Sequence, residues 1–131
     1  MTRLRILCAT TVTLLALGAC STTGQGPSAE GRQPMTAPEL LKLLTSGQDF
    51  DLRSADGGAE TLHFARDGTV TVVRDAGEAS GRWRISADRY CVTWQEGTAG
   101  ERCFHAYREG ESVYALAGPD GVAAGTLSAH R

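Results

Sequence analysis

Few side chains in this 131-residue sequence have a type and spacing that would support metal binding. The three histidines are His63, His105 and His130. None of them belongs to a His-x-His or His-Glu-x-x-His pattern, the spacings that bring two imidazoles to one metal ion. We therefore interpret them as surface residues and predict no metal site and no cofactor.

Nucleophilic catalysis has no better support. Residues 77–81, Gly-Glu-Ala-Ser-Gly, place the serine one position late for a nucleophile elbow, and a strand follows where the elbow needs a helix. Asp49 and Asp51 would share one face of a strand, with Asp56 and Glu60 nearby. A solvated acidic edge is the favoured interpretation over a loose cation site. The sequence therefore predicts that the protein is not an enzyme.

One short N-terminal helix and about seven or eight strands are predicted to form a single domain over residues 36–131. Thr36-Ala37-Pro38-Glu39 has the capping-box pattern, leucines follow at helical spacing, and Gly47 ends the helix. Short alternating runs separated by turn residues such as Asp67-Gly68 then predict strands at 50–53, 61–65, 69–74, 81–85, 90–94, 103–108, 112–117 and 122–127. We expect a mainly β fold, an antiparallel meander that forms a small barrel or a curved half-barrel.

Alternation along these strands separates an inner face from an outer face. The inner positions and the helix predict a core of Leu40, Leu44, Leu62, Phe64, Val70, Val72, Trp83, Ile85, Val92, Phe104 and Leu116. Five aromatic residues in the central strands have two interpretations, core packing or an outward-facing binding patch: Trp83, Tyr90, Trp94, Tyr107 and Tyr114.

The first 19 residues have the three parts of a secretory signal. A basic start with Arg3 and Arg5 precedes an apolar stretch, 6–16, and the small residues Gly18 and Ala19 follow. The apolar stretch is shorter than the ~20 residues that a membrane-spanning helix needs. Residues 1–19 are therefore predicted to be a cleaved signal peptide.

The four residues Leu17-Gly18-Ala19-Cys20 resemble the lipobox of bacterial lipoproteins. The resemblance implies cleavage before Cys20 and lipid on its thiol as the membrane anchor. Ser21 follows, which implies the periplasmic face of the outer membrane if the host is Gram-negative. An ordinary secretory signal with a chance cysteine is the alternative. Residues 20–35, rich in Gly, Pro, Ser and Thr, predict a disordered tether behind the lipidated Cys20.

Export and lipidation leave Cys91 and Cys103 as the cysteines of the mature domain. A hairpin centred on Gly97 would place them directly opposite each other, within reach of a disulfide. An exported compartment is oxidising, so we predict that bond. The alternative is a reactive or metal-binding thiol pair, for which His105 is the nearest additional ligand in the sequence.

Charge excludes one class of partner. The formal net charge is −2, and no basic run is present. Nucleic-acid binding draws most of its affinity from neutralised phosphates, so we expect no nucleic-acid partner. The same argument leaves lipid on Cys20, rather than surface charge, to hold the protein at a membrane.

Five short segments together resemble small exported bacterial proteins of domain-of-unknown-function family 995 and its relatives. They are Phe64–Thr69, Ser80–Trp83, Tyr90–Trp94, Arg102–Phe104 and Tyr107–Gly110, spread over most of residues 36–131. The resemblance implies a compact β domain with a Gly-x-Trp strand and two cysteines. It implies no activity, because that family has none assigned.

The sequence thus predicts a non-catalytic lipoprotein of the cell envelope. The favoured function is binding of a macromolecular partner, an envelope protein that the domain either inhibits or helps to assemble. The alternative is a carrier whose barrel interior holds a small apolar ligand.

Overall fold

The computed structural model describes residues 32–131, so the predicted signal peptide, the lipobox and Cys20 lie outside the described residues. It contains one helix and eight strands: α1 (Ala37–Leu44), β1 (Asp49–Ser54), β2 (Ala59–Phe64), β3 (Thr69–Arg74), β4 (Gly77–Ser86), β5 (Arg89–Trp94), β6 (Glu101–Arg108), β7 (Val113–Ala117) and β8 (Ala123–Ala129). No helix within this part of the chain is long and apolar enough to cross a membrane.

The eight strands form a closed antiparallel barrel. Each strand pairs with the next one in the chain, and β8 returns to pair with β1, with Leu52 opposite Leu127. The mainly β prediction is confirmed, and of the two predicted shapes the closed barrel is the one present. The short helix is confirmed at Ala37–Leu44, which is not at the N-terminus of the chain.

Seven strands lie within three residues of their predicted bounds, and β4 is the exception. It begins at Gly77, four residues earlier than predicted. The chain reverses in the two residues 75–76, and Gly77 has a φ of 127°, which other residues rarely adopt. Ser80 consequently pairs with Thr71 inside the sheet, and the segment that had been compared with a nucleophile elbow is a strand.

The two ends of the barrel differ, and we name them here. The closed end carries α1 together with the connections 65–68, 87–88 and 109–112. Leu40 and Leu44 of α1 are each 1% exposed and cover the barrel at this end. The open end carries the connections 55–58, 75–76, 95–100 and 118–122, and no helix lies over it among the described residues.

Helix α1 begins as the sequence predicts. The backbone N–H and the hydroxyl of Thr36 both donate to the carboxylate of Glu39, each at 2.8 Å. The N–H of Ala37 donates to Asp88, at 2.9 Å, which ties the start of the helix to the β4–β5 turn. These contacts satisfy N–H groups that have no partner inside the helix and fix it to the closed end.

Aromatic rings fill the barrel near the closed end. Phe64 has edge-to-face contacts with Phe50, Trp83 and Tyr90, with ring centroids 5.8–6.1 Å apart. Nine of the eleven predicted core residues are buried, whereas Ile85 is partly buried. Phe104 is also partly buried, and the prediction omitted several buried residues: Met35, Phe50, Ala79, Tyr90, Cys91, Ala106, Tyr107, Tyr114, Ala117 and Leu127.

The folded region includes residues that the sequence analysis assigned to the tether. Met35 is 5% exposed, and its N–H donates to the carbonyl of Ala106 at 2.8 Å. Arg32 lies 3.0 Å from the carboxylate of Glu109. Met35 and Arg32 thus already contact β6 and the turn after it, ahead of the predicted domain boundary at residue 36.

Candidate functional site

The open end of the barrel contains a cavity of about 490 Å³. Its walls are apolar side chains from five strands: Leu52, Leu62, Val92, Trp94, Phe104 and Leu116. Tyr90 also lines it; the edge-to-face contact with Phe64 joins this wall to the aromatic packing of the closed end. Burial raises the pKa of the Tyr90 phenol well above its usual range, so it remains a neutral group. We call this space the barrel cavity.

Small residues leave room for the barrel cavity. Ala99, Ala123 and Ala124 lie around its opening, where longer side chains would reach into the space. Gly81 has a different effect, because a Cβ there would come 2.9 Å from the ring of Trp94 and 2.5 Å from the carbonyl oxygen of Thr93. The bare backbone of β4 thus lets the Trp94 ring pack against it at the mouth.

One ion pair forms part of the cavity lining. The Arg74 Nε lies 2.6 Å from the carboxylate of Glu60, across the β2 and β3 strands. The Arg74 guanidinium carbon also lies 5.8 Å from the centre of the Trp94 ring, within the range of a cation–π interaction. Glu60 and Arg74 therefore neutralise each other, and Trp94 is braced between glycine on one strand and arginine on another.

Two further charged residues line the cavity. The Asp56 carboxylate accepts hydrogen bonds from the Ser54 hydroxyl and the Gly58 N–H, which hold the pKa of Asp56 below its usual value. Arg102 extends from β6, with its guanidinium carbon 5.9 Å from the centre of the Phe104 ring. The cavity thus combines apolar walls with a few charges, the composition typical of small-molecule sites.

The five aromatic residues of the predicted binding patch do not form one outward-facing surface. Trp83, Tyr90, Tyr107 and Tyr114 are each less than 10% exposed, and Trp94 is half-buried. Trp83 is fixed in the core by a hydrogen bond of 2.8 Å from its Nε1 to the carbonyl of Ala65. These exposed fractions favour core packing, the other interpretation of the sequence, for four of the five, and Tyr90 and Trp94 line the barrel cavity.

The sequence analysis missed Arg74 and Arg102 as members of a site, and it weighed Asp56 and Glu60 only as part of a loose cation site. Both arginines belong to the inner face of their strands, because residues two apart share a face: Arg102 shares it with Phe104, and Arg74 shares it with Val72. A charged residue at an inner position close to a strand end was the available signal. This signal alone was insufficient. The helix covers one end of the barrel, and only its position shows which strand ends surround the opening.

The disulfide between Cys91 and Cys103 is present, as predicted. The two residues face each other in the β5–β6 ladder, and their Cα atoms are 4.0 Å apart. The bond ties together the hairpin whose loop, 95–100, borders the cavity mouth. Among residues 32–131, the one cluster with metal-ligand atoms consists of these sulfurs and Glu101, and the disulfide leaves neither sulfur as a thiolate.

The histidines and aspartates that could do chemistry lie on the outer surface. The His63 Nδ1 is 2.6 Å from the carboxylate of Asp49, and the His130 Nδ1 is 2.7 Å from that of Asp51. His105 lies 3.1 Å from the carbonyl of Asp88. Both His–Asp pairs are about half exposed, and neither contributes to the barrel cavity.

A second surface feature lies beside α1 at the closed end. Leu41 is 50% exposed and lies next to Ile85, with three arginines around them. Arg66 and Arg82 donate to backbone carbonyls of Thr45 and Asp67, and Arg84 pairs with Glu101 outside the groove. We call the surface formed by Leu41, Ile85, Arg66, Arg82 and Arg84 the helix groove.

Comparison with protein-family models, with curated proteins and with solved structures gave no match. The resemblances to bacterial lipoproteins and to family 995 therefore stay predictions from the sequence. The barrel cavity and the helix groove are the two surfaces described above that could bind a ligand or a partner.

Proposed function

We propose that the protein is a non-catalytic lipoprotein of the cell envelope whose barrel carries a small apolar ligand. The barrel cavity is the binding site, and Cys20 holds the protein at the membrane. This gives preference to the alternative of the two functions predicted from the sequence, because the cavity offers a defined place for a ligand.

The volume and lining of the barrel cavity carry the proposal. Its volume, about 490 Å³, lies within the ~300–1,000 Å³ of typical ligand pockets. Its walls are mainly apolar, whereas a barrel with a filled interior would leave no such space. Burying apolar ligand surface there contributes about 25 cal/mol per Å² removed from water, and the disulfide-linked hairpin holds part of the mouth in place.

A neutral fluorescent probe tests this function directly. N-phenylnaphthylamine, titrated into the mature domain, should bind in the cavity with a rise in its fluorescence. Ala124→Phe places a ring at the cavity opening and should weaken binding about tenfold or more, since lost apolar contact is worth ~1–3 kcal/mol. Val73→Phe is the matched control, because Val73 is 51% exposed on the outer face.

The control should bind the probe as the wild type does, and both variants should show the circular dichroism of the wild type. Absence of probe binding by the folded wild type would overturn the carrier function. Equal binding by Ala124→Phe and Val73→Phe would place the probe elsewhere on the protein and would also contradict it.

The helix groove supports a second candidate, the macromolecular partner favoured from the sequence. An exposed leucine beside cationic side chains is complementary to a protein segment that carries an apolar residue between acidic ones. Arg66 and Arg82 form no ion pair among the described residues, and their hydrogen bonds go to backbone carbonyls. Asp67 also lines the groove, and its pKa is lowered by hydrogen bonds from Thr69 and, to a smaller extent, by the charge of Arg82. Arg66 is therefore the groove arginine with less compensation.

Site-specific photo-crosslinking tests the helix groove. A photoreactive phenylalanine at position 41 should capture one envelope protein in living cells, and the product should disappear with Arg82→Glu. The same amino acid at position 122 is the control, since Val122 is 63% exposed at the opposite end of the barrel. A product that survives Arg82→Glu, or one shared with position 122, would contradict docking at the groove.

The anchor is tested separately. Wild-type protein should incorporate labelled palmitate and sediment with membranes, whereas Cys20→Ser should do neither, because serine cannot form the thioether. Label retained by Cys20→Ser would contradict lipidation at this residue.

A further inference from the structure

The four charged residues that line the barrel cavity are unequally compensated. Glu60 and Arg74 form an ion pair, with Nε and Oε1 2.6 Å apart. Asp56 is held by hydrogen bonds within its own turn. Within residues 32–131, Arg102 has no carboxylate at ion-pair distance, although it faces the same space.

Arg102 lies away from Asp56, the one carboxylate of the cavity lining that forms no ion pair. Asp56 lies in the turn after β1, whereas Arg102 lies on β6, and β8 and β7 stand between those strands around the barrel. Arg102 is opposite Val92 in the β5–β6 ladder and next to the Phe104 ring. One side of the mouth therefore places a free guanidinium directly above an apolar wall.

We infer that the ligand is an anionic amphiphile, with an apolar chain in the barrel cavity and a carboxylate bound by Arg102 at the mouth. This inference rests on the proposed carrier function and specifies its ligand class. A guanidinium presents parallel N–H donors that match the two oxygens of a carboxylate, and its charge strengthens each hydrogen bond. The neighbouring Phe104 and Val92 provide the apolar surface on which the adjoining chain packs.

The cavity also limits the chain to a modest length. Along β5, Trp94 at the mouth is four residue steps from Tyr90, which is ~13 Å along the strand at ~3.3 Å per residue. A single chain of medium length fits this depth, so decanoate, decanol and decylamine are suitable probes that differ only in their head groups. Decanoate tests the anion, decanol the neutral chain and decylamine a cation.

Displacement of N-phenylnaphthylamine measures the preference at a pH where decanoate is ionised and decylamine is protonated. We expect decanoate to compete at a concentration about threefold to fivefold lower than decanol, with decylamine the weakest, since an ion pair at an exposed site has an effect of this order. Arg102→Gln should remove the advantage of decanoate over decanol, measured as the ratio of their competing concentrations in the same variant.

Arg53→Gln is the matched control for net charge. Arg53 is exposed on β1 near the same end, but it has the parity of the outer face and does not line the cavity. It should keep the preference for decanoate. Arg102→Lys should keep part of it, since the charge remains while the paired donors are lost.

The outcomes separate the two proposals. Decanol that displaces the probe as well as decanoate would overturn the anionic ligand and leave the carrier function standing. A preference for decanoate that is lost equally in Arg53→Gln and Arg102→Gln would overturn the role of Arg102 by showing a general charge effect. A folded wild type that binds neither probe nor any ten-carbon chain would overturn both proposals.

Discussion

The two ends of the barrel are built from the same eight strands and have opposite interiors. At the closed end the inner positions carry Phe50, Phe64 and Trp83, and the leucines of α1 complete the packing. At the open end the surroundings include Ala99 and alanines of β8, and a cavity of about 490 Å³ remains. The size of a few side chains therefore decides which end is core and which is a site.

The difference also shows how stability and binding can be divided within one small domain. The closed end buries large apolar side chains in mutual contact, which is the main source of folding free energy. The open end leaves apolar side chains such as Leu52 facing a space. The partly buried lining residues Leu52, Trp94 and Phe104 contribute less to folding than the core residues, so a ligand that covers them gains contacts that the protein itself does not make.

Removing a ring from the closed end should have the largest effect. Phe64→Ala should lower the free energy of unfolding by about 3–5 kcal/mol, because Phe64 is 1% exposed and its loss leaves a void among close-packed rings. Leu52→Ala, at the open end, should cost about 1–2 kcal/mol, since Leu52 is only partly buried and already lines a space. Denaturant unfolding measures both, and equal losses would contradict the difference in packing.

Removing the disulfide should be the next largest change. The double substitution Cys91→Ala and Cys103→Ala should lower the free energy of unfolding by about 2–3 kcal/mol, because the unfolded chain regains the freedom of a 12-residue separation. It should also weaken probe binding, since the bond joins the hairpin that borders the mouth. Alkylation of the non-reduced domain is the direct check, and two reactive thiols would contradict the disulfide.

Weakening the helix cap sharpens the comparison by acting on the closed end alone. Thr36→Ala should cost about 1 kcal/mol at neutral pH, because the hydroxyl of a capping residue is lost. Two hydrogen bonds donated by Thr36 lower the pKa of Glu39 below its usual 4.5. The bond from the Thr36 backbone N–H has the larger effect, and the bond from its hydroxyl has the smaller one. A lowered folded-state pKa gives stability that is present above the unfolded value and is lost as the pH falls through the folded one.

The cost of Thr36→Ala should therefore shrink as the pH falls below 4.5 and through the lower pKa that Glu39 has in the folded protein. Unfolding curves recorded for both proteins between neutral and acidic pH give this difference. Probe binding at neutral pH should stay close to wild type, because the cap does not line the barrel cavity. A constant cost across the acidic range would contradict a role for the Glu39 carboxylate.

The smallest effect should be spectroscopic. Trp94 is half-buried at the mouth, whereas Trp83 is 8% exposed and hydrogen-bonded in the core. Acrylamide should therefore quench Trp83→Phe, in which Trp94 is the remaining tryptophan, more strongly than Trp94→Phe. Decanoate should reduce quenching in Trp83→Phe and have little effect in Trp94→Phe. The reverse pattern would place the ligand away from the mouth.

Local patterns in the sequence were sufficient for most of the fold. Alternation and glycine turns located the strands, and symmetry about Gly97 gave the pairing of Cys91 with Cys103 that the ladder contains. Closure of the barrel was not predictable in the same way, because β1 and β8 are distant in the sequence. Phe50 is buried at that seam, so its place in the core depended on a pairing that no local pattern shows.

The cavity was harder to predict than the fold. Trp94 and Arg102 lie on adjacent strands and face the same space, yet a central aromatic residue also fits core packing. Whether the space is filled depends on the sum of side-chain volumes around all eight strands. Met35 is a second case in which local composition did not predict tertiary packing. The composition of residues 21–35 predicts a tether, whereas tertiary contacts bury Met35.

The contact between Arg32 and Glu109 has a consequence for how the protein would exchange its cargo. Glu109 follows β6 at the closed end, so the chain that leads from Cys20 joins the barrel there, ~20 Å from the mouth by the length of a six-residue strand. In a protein anchored through Cys20, the anchored chain would therefore join the barrel at the end away from the mouth. Ligand would thus enter and leave at the end of the barrel opposite the anchored chain.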